Sequence, residues 1–288
     1  MKILSPAKIN LFLHVTGKTS DGYHNLVTLM CGVSLYDTIF LKTGVKKTTV
    51  SCSNPKVPED ETNIAFKAAD LFFNRLNRKE GVKITIKKKI PVAAGLGGGS
   101  SNAAAVFLGL NRCYGYPFCL DELMAMGISI GADVPFLLLG KAAWASGIGE
   151  KLEACDGLPS YKILLVYPGF GVSTAEVYKN VDLGLTKCKK TLKKTLLETR
   201  TFNAACHLCN DLERVVVSKH SEITAVKEAL LGQGAKGALM SGSGPTVFGL
   251  FSDQDKALAA NRMLSKNSEW QLFLTDMIID DGCIIQDS

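Results

Sequence analysis

A two-domain α+β protein is expected from three features of this 288-residue chain. Its length is enough to bury two hydrophobic cores. Its middle runs from an alternating strand through a glycine-rich loop into an alanine-rich helix. Its second half mixes strands and helices around a Gly-Ser-Gly loop, after glycine breaks at Gly147-Ile148-Gly149 and Gly157-Leu158-Pro159. Those breaks divide the chain into domains 1–155 and 156–288.

The first element is a strand. Ala7, Ile9, Leu11, Leu13 and Val15 alternate with Lys8, Asn10, Phe12, His14 and Thr16, so one face is buried and Lys8 and Asn10 project together from the other. A lysine there is either solvated or functional. The turn residues 17–22 deliver Tyr23 and His24 side by side, to hold a flat ligand or to cap a core edge. Strands follow over 26–34, 36–43 and 47–53. Thr62 then caps a helix whose Ile64, Ala65, Ala68, Leu71, Phe72 and Leu76 keep helical spacing. Val82, Ile84 and Ile86 alternate as the next strand.

The stretch Pro91-Val92-Ala93-Ala94-Gly95-Leu96-Gly97-Gly98-Gly99-Ser100-Ser101 packs four glycines and two serines into its last seven residues. That cannot build a core, so the backbone must approach something. A linker would not lie pinned between a patterned strand and a helix with apolar Ala104, Phe107, Leu108 and Leu110. A glycine loop feeding a helix aims unpaired N–H groups and the positive end of the helix dipole at one point. An anion fits there, and a polyphosphate fits best. The common fingerprints do not match: no lysine follows the glycines as in a Walker loop, and Ser100 stands where a Rossmann motif counted from Gly95 needs glycine.

A helix over 120–127 leads into Gly131-Ala132-Asp133-Val134-Pro135, where one carboxylate sits in an apolar stretch. Asp133 is either a helix N-cap or a catalytic carboxylate in a partly dry site, and spacing does not decide. Strands at 141–146 and 162–167 come next, then a short helix capped by Ser173 or Thr174 and carrying Tyr178. Helices around 189–199, 203–217 and 219–232, strands at 236–240 and 246–251, and a helix from Asp253 to Ser265 complete the pattern. The Ser241-Gly242-Ser243-Gly244-Pro245 loop between the last strands is either a tight turn or a second backbone loop near phosphate.

With 47% hydrophobic and 21% charged residues, the chain has the makeup of an ordinary soluble globular protein. Lys and Arg number 33 against 27 Asp and Glu, a net charge of +6 that could draw in anionic ligands. Nucleic acid is not an expected partner: the lysines at 187, 189, 190, 193 and 194 have no interleaved aromatic residues for base stacking and read as a solvated helix face. Nine scattered cysteines without a framework point to a reducing cytoplasm, and Cys206-His207-Leu208-Cys209 lacks the second pair that zinc needs. No membrane association is expected, because Lys8 and Asn10 interrupt any signal-like apolar region and no apolar run approaches the ~18 residues of a membrane span.

Three segments together resemble the GHMP kinase superfamily, the kinases of galactose, homoserine, mevalonate and phosphomevalonate. They are Pro6-Ala7-Lys8-Ile9-Asn10-Leu11, the Pro91–Ser101 loop, and Ser241-Gly242-Ser243-Gly244-Pro245-Thr246, and they span nearly the whole chain. Asp21-Gly22-Tyr23-His24, the triple glycine, Gly131–Pro135 and Asn210-Asp211-Leu212-Glu213 narrow the likeness to the branch that acts on a cytidine diphosphate-linked methylerythritol, in the non-mevalonate route to isoprenoids. The resemblance implies a GHMP kinase fold, with an N-terminal β-sheet backed by helices, a C-terminal ferredoxin-like α/β sandwich and a substrate cleft between them. It also implies a cytoplasmic enzyme, a monomer or weak homodimer, that moves the γ-phosphoryl group of ATP with Mg²⁺ to the 2-hydroxyl of that small-molecule substrate.

Carried over by position, Asp133 would take the hydroxyl proton and Lys8 would stabilise charge beside it. A contact between them would favour the ionised carboxylate. Residues 91–101 would cradle the ATP phosphates, with Ser101 near Mg²⁺. Tyr23 and Tyr178 would sandwich the cytosine and His24 would read its edge, while Asn10 and Thr174 would touch the rest of the substrate. Position 102 departs from the branch: it is Asn where Asp is usual, which removes a charge beside the loop and implies a changed local hydrogen bond or metal affinity. The competing readings are a homoserine- or mevalonate-type kinase and a catalytically silent nucleotide-binding regulator.

Overall fold

The computed structural model describes residues 1–20, 22–185, 202–280 and 282–286. The lysine group at 187–194, the helix expected over 189–199 and Asp21 lie outside the described residues. Strands β1 (Lys2–Lys18) and β2 (His24–Val45) form a long antiparallel ribbon whose register shifts between Pro6 and Ala7, Asn10 and Phe12, and Val15 and Gly17. Bulges of this kind absorb twist without ending a strand. With no glycine or proline between Ser34 and Tyr36, β2 also runs on as one strand where two were expected.

β3 (Thr49–Cys52) pairs in parallel with β4 (Gly81–Lys87), which joins β2. β5 (Ala143–Gly147) pairs with β2 and with β6 (Lys151–Ala154), so Gly147-Ile148-Gly149 forms a hairpin turn. Helices α1 (Ile64–Arg75), α2 (Gly98–Cys113), α3 (Leu120–Ile128) and α4 (Val134–Leu139) pack with this sheet around Phe72 and Phe107, both fully buried. Each such side chain stabilises the fold by ~1.5–3 kcal/mol. The cap of α1 is Asn63 rather than Thr62: the Asn63 side chain accepts from the Ala65 N–H at 2.9 Å, while the Thr62 hydroxyl donates to Asp60.

The second half contains β7 (Lys162–Tyr167), α5 (Thr174–Lys179), α6 (Ala204–His207), β8 (Cys209–Asn210), α7 (Glu213–Val217), α8 (Glu222–Gly232), β9 (Gly237–Met240), β10 (Val247–Phe251), α9 (Gln254–Leu264), β11 (Gln271–Ile278) and β12 (Ile284–Gln286). The single helix expected over 203–217 is split, because Cys209 and Asn210 pair with Phe12 and Leu13 of β1. β11 and β12 have no counterpart among the expected elements. β11 bonds to both β2 and β7, so the strands follow the path β12-β1-β2-β11-β7-β10-β9. One core is shared by β1 and the β7–β10 end of this sheet, around Ile9, Leu11, Ile163 and Phe248, and another lies between that end and α8 and α9, around Val226, Leu230 and Ala257.

This packing corrects the expectation that one face of β1 is solvated. Both faces are covered from Ser5 to Val15, and Lys8 is 4% and Asn10 2% exposed. Burying a lysine costs free energy unless its ammonium finds partners. Its partners define a cleft.

Candidate active site

The cleft has a volume of about 560 Å³ and is lined from both halves of the chain. At its base Lys8 Nζ donates to Asn10 Oδ1 at 2.6 Å and lies 3.4 Å from Asp133 Oδ2. Lys8 and Asn10 reach the same place because side chains two apart on a strand share a face. Asn10 is held in turn: its Nδ2 donates to Thr28 Oγ1 at 2.8 Å, and that hydroxyl donates to the Phe12 carbonyl at 2.6 Å. The amide oxygen is therefore left facing Lys8. Asp133 does occupy the position before α4, but its side chain makes no capping bond there and turns to Lys8 instead, with a third of its surface exposed to the cleft.

Residues 91–100 line the cleft in an unbroken run. α2 starts at Gly98, three residues before Ser101, so Gly98 to Ser101 form its first turn. Gly97 precedes it in the left-handed region at φ 65°, and a Cβ there would stand 2.9 Å from Lys8 Cγ and 3.5 Å from Asp133 Oδ2. Glycine is needed because the loop backbone passes directly over the Lys8–Asp133 pair. The early helix start also corrects the place given to Ser101. One turn in, it faces β1, fully buried, with its hydroxyl accepting from Ser5 Oγ at 2.8 Å, and it does not line the cleft. Ser100 does, and its Oγ lies 3.3 Å from where a Gly131 Cβ would be, on the Asp133 side.

The Gly-Ser-Gly loop forms the opposite wall. Ser241 Oγ donates to the Gly95 carbonyl at 3.0 Å, and a Cβ on Gly95 would stand 2.2 Å from the Ser241 carbonyl oxygen. Ser243 Oγ lies 2.7 Å from Thr174 Oγ1 at the start of α5, and both residues line the cleft. The Asn210–Glu213 segment clamps this loop from behind. Asn210 Nδ2 donates to the carbonyls of Met240 and Gly242 at 2.8 Å each, and Glu213 Oε2 accepts from the Met240 N–H at 2.9 Å.

Tyr178 lines the cleft on α5, with its ring 5.4 Å from that of His24 and tilted by 34°. Burial, and then the charge of Asp133, push the Tyr178 phenol well above its ordinary value, so it stays a hydroxyl. Burial, and then Lys18, lower His24 from its ordinary 6.5. Its ring is therefore neutral at pH 7, with one nitrogen donating and one accepting. Tyr23 is 61% exposed, and the structure brings His24 against Tyr178, with Tyr178 lining the cleft and both Tyr23 and His24 outside its lining.

Several lining residues escaped the sequence reading, among them Thr28 and Lys88. Thr28 reads as an ordinary strand residue, and Lys88 is absorbed in a run of three lysines. Among the described residues no three His, Cys, Asp or Glu side chains gather as a metal cluster, and the C-x-x-C is no exception, with Cys206 free and exposed and Cys209 in a disulfide. Among them, no helix is long and apolar enough to cross a membrane.

Comparison with known proteins gives the arrangement a family. The family model of the GHMP kinases N terminal domain matches residues 63–141, and that of the GHMP kinases C terminal matches residues 193–269. A 4-diphosphocytidyl-2-C-methyl-D-erythritol kinase of Syntrophotalea carbinolica is 47% identical over 278 residues, covering 96% of this chain and 99% of that protein. The crystal structure of a 4-(cytidine 5'-diphospho)-2C-methyl-D-erythritol kinase superposes with a TM-score of 0.80 at 33% identity, over 96% of this chain and 99% of that one. A homoserine kinase from Cytophaga hutchinsonii shares the fold with a TM-score of 0.75 at 18% identity, covering 99% of this chain and 97% of that one. With a glycine loop opening the helix α2, a lysine–aspartate pair beneath it and relatives matching along nearly its whole length, the chain belongs to the GHMP kinase family, in its 4-diphosphocytidyl-2-C-methyl-D-erythritol kinase branch.

Proposed function

We propose that this protein transfers the γ-phosphoryl group of ATP to the 2-hydroxyl of 4-(cytidine 5'-diphospho)-2-C-methyl-D-erythritol. The observation that carries the reading is the Lys8–Asp133 pair, 3.4 Å apart, directly beneath the Gly97 turn that opens α2. The loop from Gly95 to Ser100 and the α2 N-terminus bind the phosphates, because their N–H groups and the helix dipole favour negative charge. Asp133 Oδ2 accepts the proton of the attacking hydroxyl as the O–P bond forms and the bond to the leaving ADP breaks. The Lys8 ammonium stabilises charge on the transferring group. Asn10 fixes the ammonium through the 2.6 Å bond to its Oδ1.

When bound, Mg²⁺ neutralises charge on the phosphate oxygens. Among the described residues the cleft offers it a hard oxygen donor, the Ser100 hydroxyl, and no dedicated cage. This suits an ion held mainly by phosphates and water. On the acceptor side, the His24–Tyr178 face stacks on the cytosine, Tyr23 closes over it from the rim and the neutral His24 ring reads its edge. Thr174 contacts the remainder of the acceptor. A nucleotide-free acceptor such as homoserine would leave that aromatic face empty. A nucleoside triphosphate as donor suits a cytoplasmic enzyme, acting as a monomer or weak homodimer.

The test is ADP release with MgATP, offering the cytidylyl methylerythritol, homoserine, mevalonate and galactose to the native protein and to Asp133→Asn. Turnover is expected with the first acceptor alone, and the variant should lose ~10²–10⁴-fold in kcat. Its affinity for MgADP should stay within about twofold. Turnover of homoserine at equal efficiency would sink the acceptor assignment, and native kcat in Asp133→Asn would remove the base.

A further inference from the structure

Behind the glycine loop lies a second charged cluster that the phosphoryl transfer described above does not use. Asp37, on β2, is completely buried. It accepts from four donors: the Lys88 ammonium, Asn102 Nδ2 at 2.9 Å, and the backbone N–H groups of Lys89 and Ile90 at 2.8 and 2.9 Å. Asn102 Nδ2 also donates to Ser5 Oγ at 3.0 Å, and Asn102 Oδ1 lies 3.5 Å from Lys88 Nζ. One carboxylate thus ties together the segment entering the glycine loop, the first turns of α2 and a lysine.

The lysine is the informative member. Its side chain is 5% exposed, yet it lines the cleft, and its Nζ stands 2.8 Å from where a Cβ on Gly98 would be. Gly98 is the first residue of α2. The ammonium therefore sits at the helix end where the dipole is already positive. A buried ion pair contributes little to stability that a well-packed apolar pair would not, so stability alone gives no reason to keep one here. Of the three ammonium donors, Asp37 and Asn102 engage two, which leaves one for a phosphate oxygen. Asn102 matters by being neutral. A second carboxylate at that position would share the lysine and weaken its field in the cleft.

We infer that Asp37 is a positioning residue of the nucleotide site, holding the Lys88 ammonium and the entry to the glycine loop in place for the phosphates, with Asn102 as its neutral partner. The inference rests on the kinase reading for the identity of the nucleotide. Its test is therefore read in MgADP binding by calorimetry, which needs no acceptor. Failure of the native protein to phosphorylate the methylerythritol would count against the acceptor assignment and leave the binding comparison intact.

Two variants are compared with the native protein: Asp37→Asn, and the exchange Asp37→Asn with Asn102→Asp. The exchange returns the carboxylate to the other side of Lys88, lets the new amide at 37 donate to it, and needs only that the Ser5 and Ser101 hydroxyls turn. Asp37→Asn is expected to weaken MgADP binding and raise KM for ATP by about tenfold or more, the acceptor KM moving by less than about twofold. The exchange should bring MgADP affinity back to within about threefold of native. Native MgADP affinity in Asp37→Asn would overturn the inference. So would an exchange variant that recovers the native Tm but not the affinity, since that pattern belongs to a purely structural ion pair. If Asp37→Asn does not fold, the exchange decides alone, and its own failure to fold also overturns the claim that the two positions are interchangeable around Lys88.

Discussion

The two glycine-rich loops that meet in the cleft have nearly the same composition and do different work. Residues 95–101 run into a helix of 16 residues, whereas residues 241–245 connect two antiparallel strands, β9 and β10. A helix N-terminus leaves N–H groups unpaired and aims them outward. The strand connection does the reverse: the Ser241 N–H bonds to the Thr246 carbonyl, the Gly244 N–H to the Ser241 carbonyl, and the Gly242 carbonyl is taken by Asn210. Loop composition alone therefore does not make a phosphate site; the element that follows the loop does. The second loop is a wall, pressed against Gly95 and Lys8 so that the first loop and the ammonium keep their places.

The strongest way to break this contrast is at Gly97. Alanine there would have to hold φ 65°, which costs ~1–2 kcal/mol, and its methyl would press on Lys8 Cγ at 2.9 Å. Pushing the ammonium off Asp133 should lower kcat ~10²-fold, and straining the α2 N-terminus should weaken MgADP binding about tenfold. Stopped-flow kinetics and calorimetry on Gly97→Ala measure the two losses. Native values for both would show that the loop does not pass over the reacting groups.

Gly242→Ala is the matching change in the wall. Alanine there would have to hold φ 55°, which costs ~1–2 kcal/mol, and its Cβ would meet Asn10 Oδ1 at 3.1 Å, the Gly95 carbonyl at 3.2 Å and Lys8 Nζ at 3.2 Å, looser contacts than the 2.9 Å at Gly97. A kcat loss of about tenfold is expected, with KM for ATP within about twofold, because the wall positions Lys8 but binds no phosphate. A steady-state ATP titration separates the two. A loss of ATP affinity as large as that of Gly97→Ala would merge the loops into one phosphate site.

What the sequence makes legible follows the range of the forces involved. The strand over 162–167, the helix starting after Asp253 and the strand before the glycine loop come out nearly as expected, since period and capping are local signals. Asp133 marks the limit of spacing: its place before α4 fits a cap, and only the fold decides between cap and partner of Lys8. Ser101 is misplaced for a geometric reason, because a helix that begins at Gly98 rather than after Ser101 turns the hydroxyl inward. Asn210–Glu213 marks the family, but its work on the second loop spans some thirty residues of sequence. Asp37 and Lys88 are 51 residues apart and each looks ordinary in its own stretch of sequence, so no local pattern announces them.

The mildest change sharpens the division of labour further. The Ser243 hydroxyl, 6% exposed, lies 2.7 Å from the Thr174 hydroxyl, and Thr174 begins the helix that carries Tyr178. If the second loop serves the acceptor side, Ser243→Ala should free Thr174 from its partner and loosen the start of α5, leaving the phosphate loop untouched. One hydrogen bond between neutral groups contributes ~0.5–1.5 kcal/mol, which corresponds to a rise of roughly two- to tenfold in KM for the cytidylyl acceptor. KM for ATP should not move, since the residues that face the phosphates keep all their contacts. Bisubstrate kinetics on this single variant give both constants. A shift in the ATP constant with none in the acceptor constant would assign the second loop to the nucleotide and reverse the contrast between the loops.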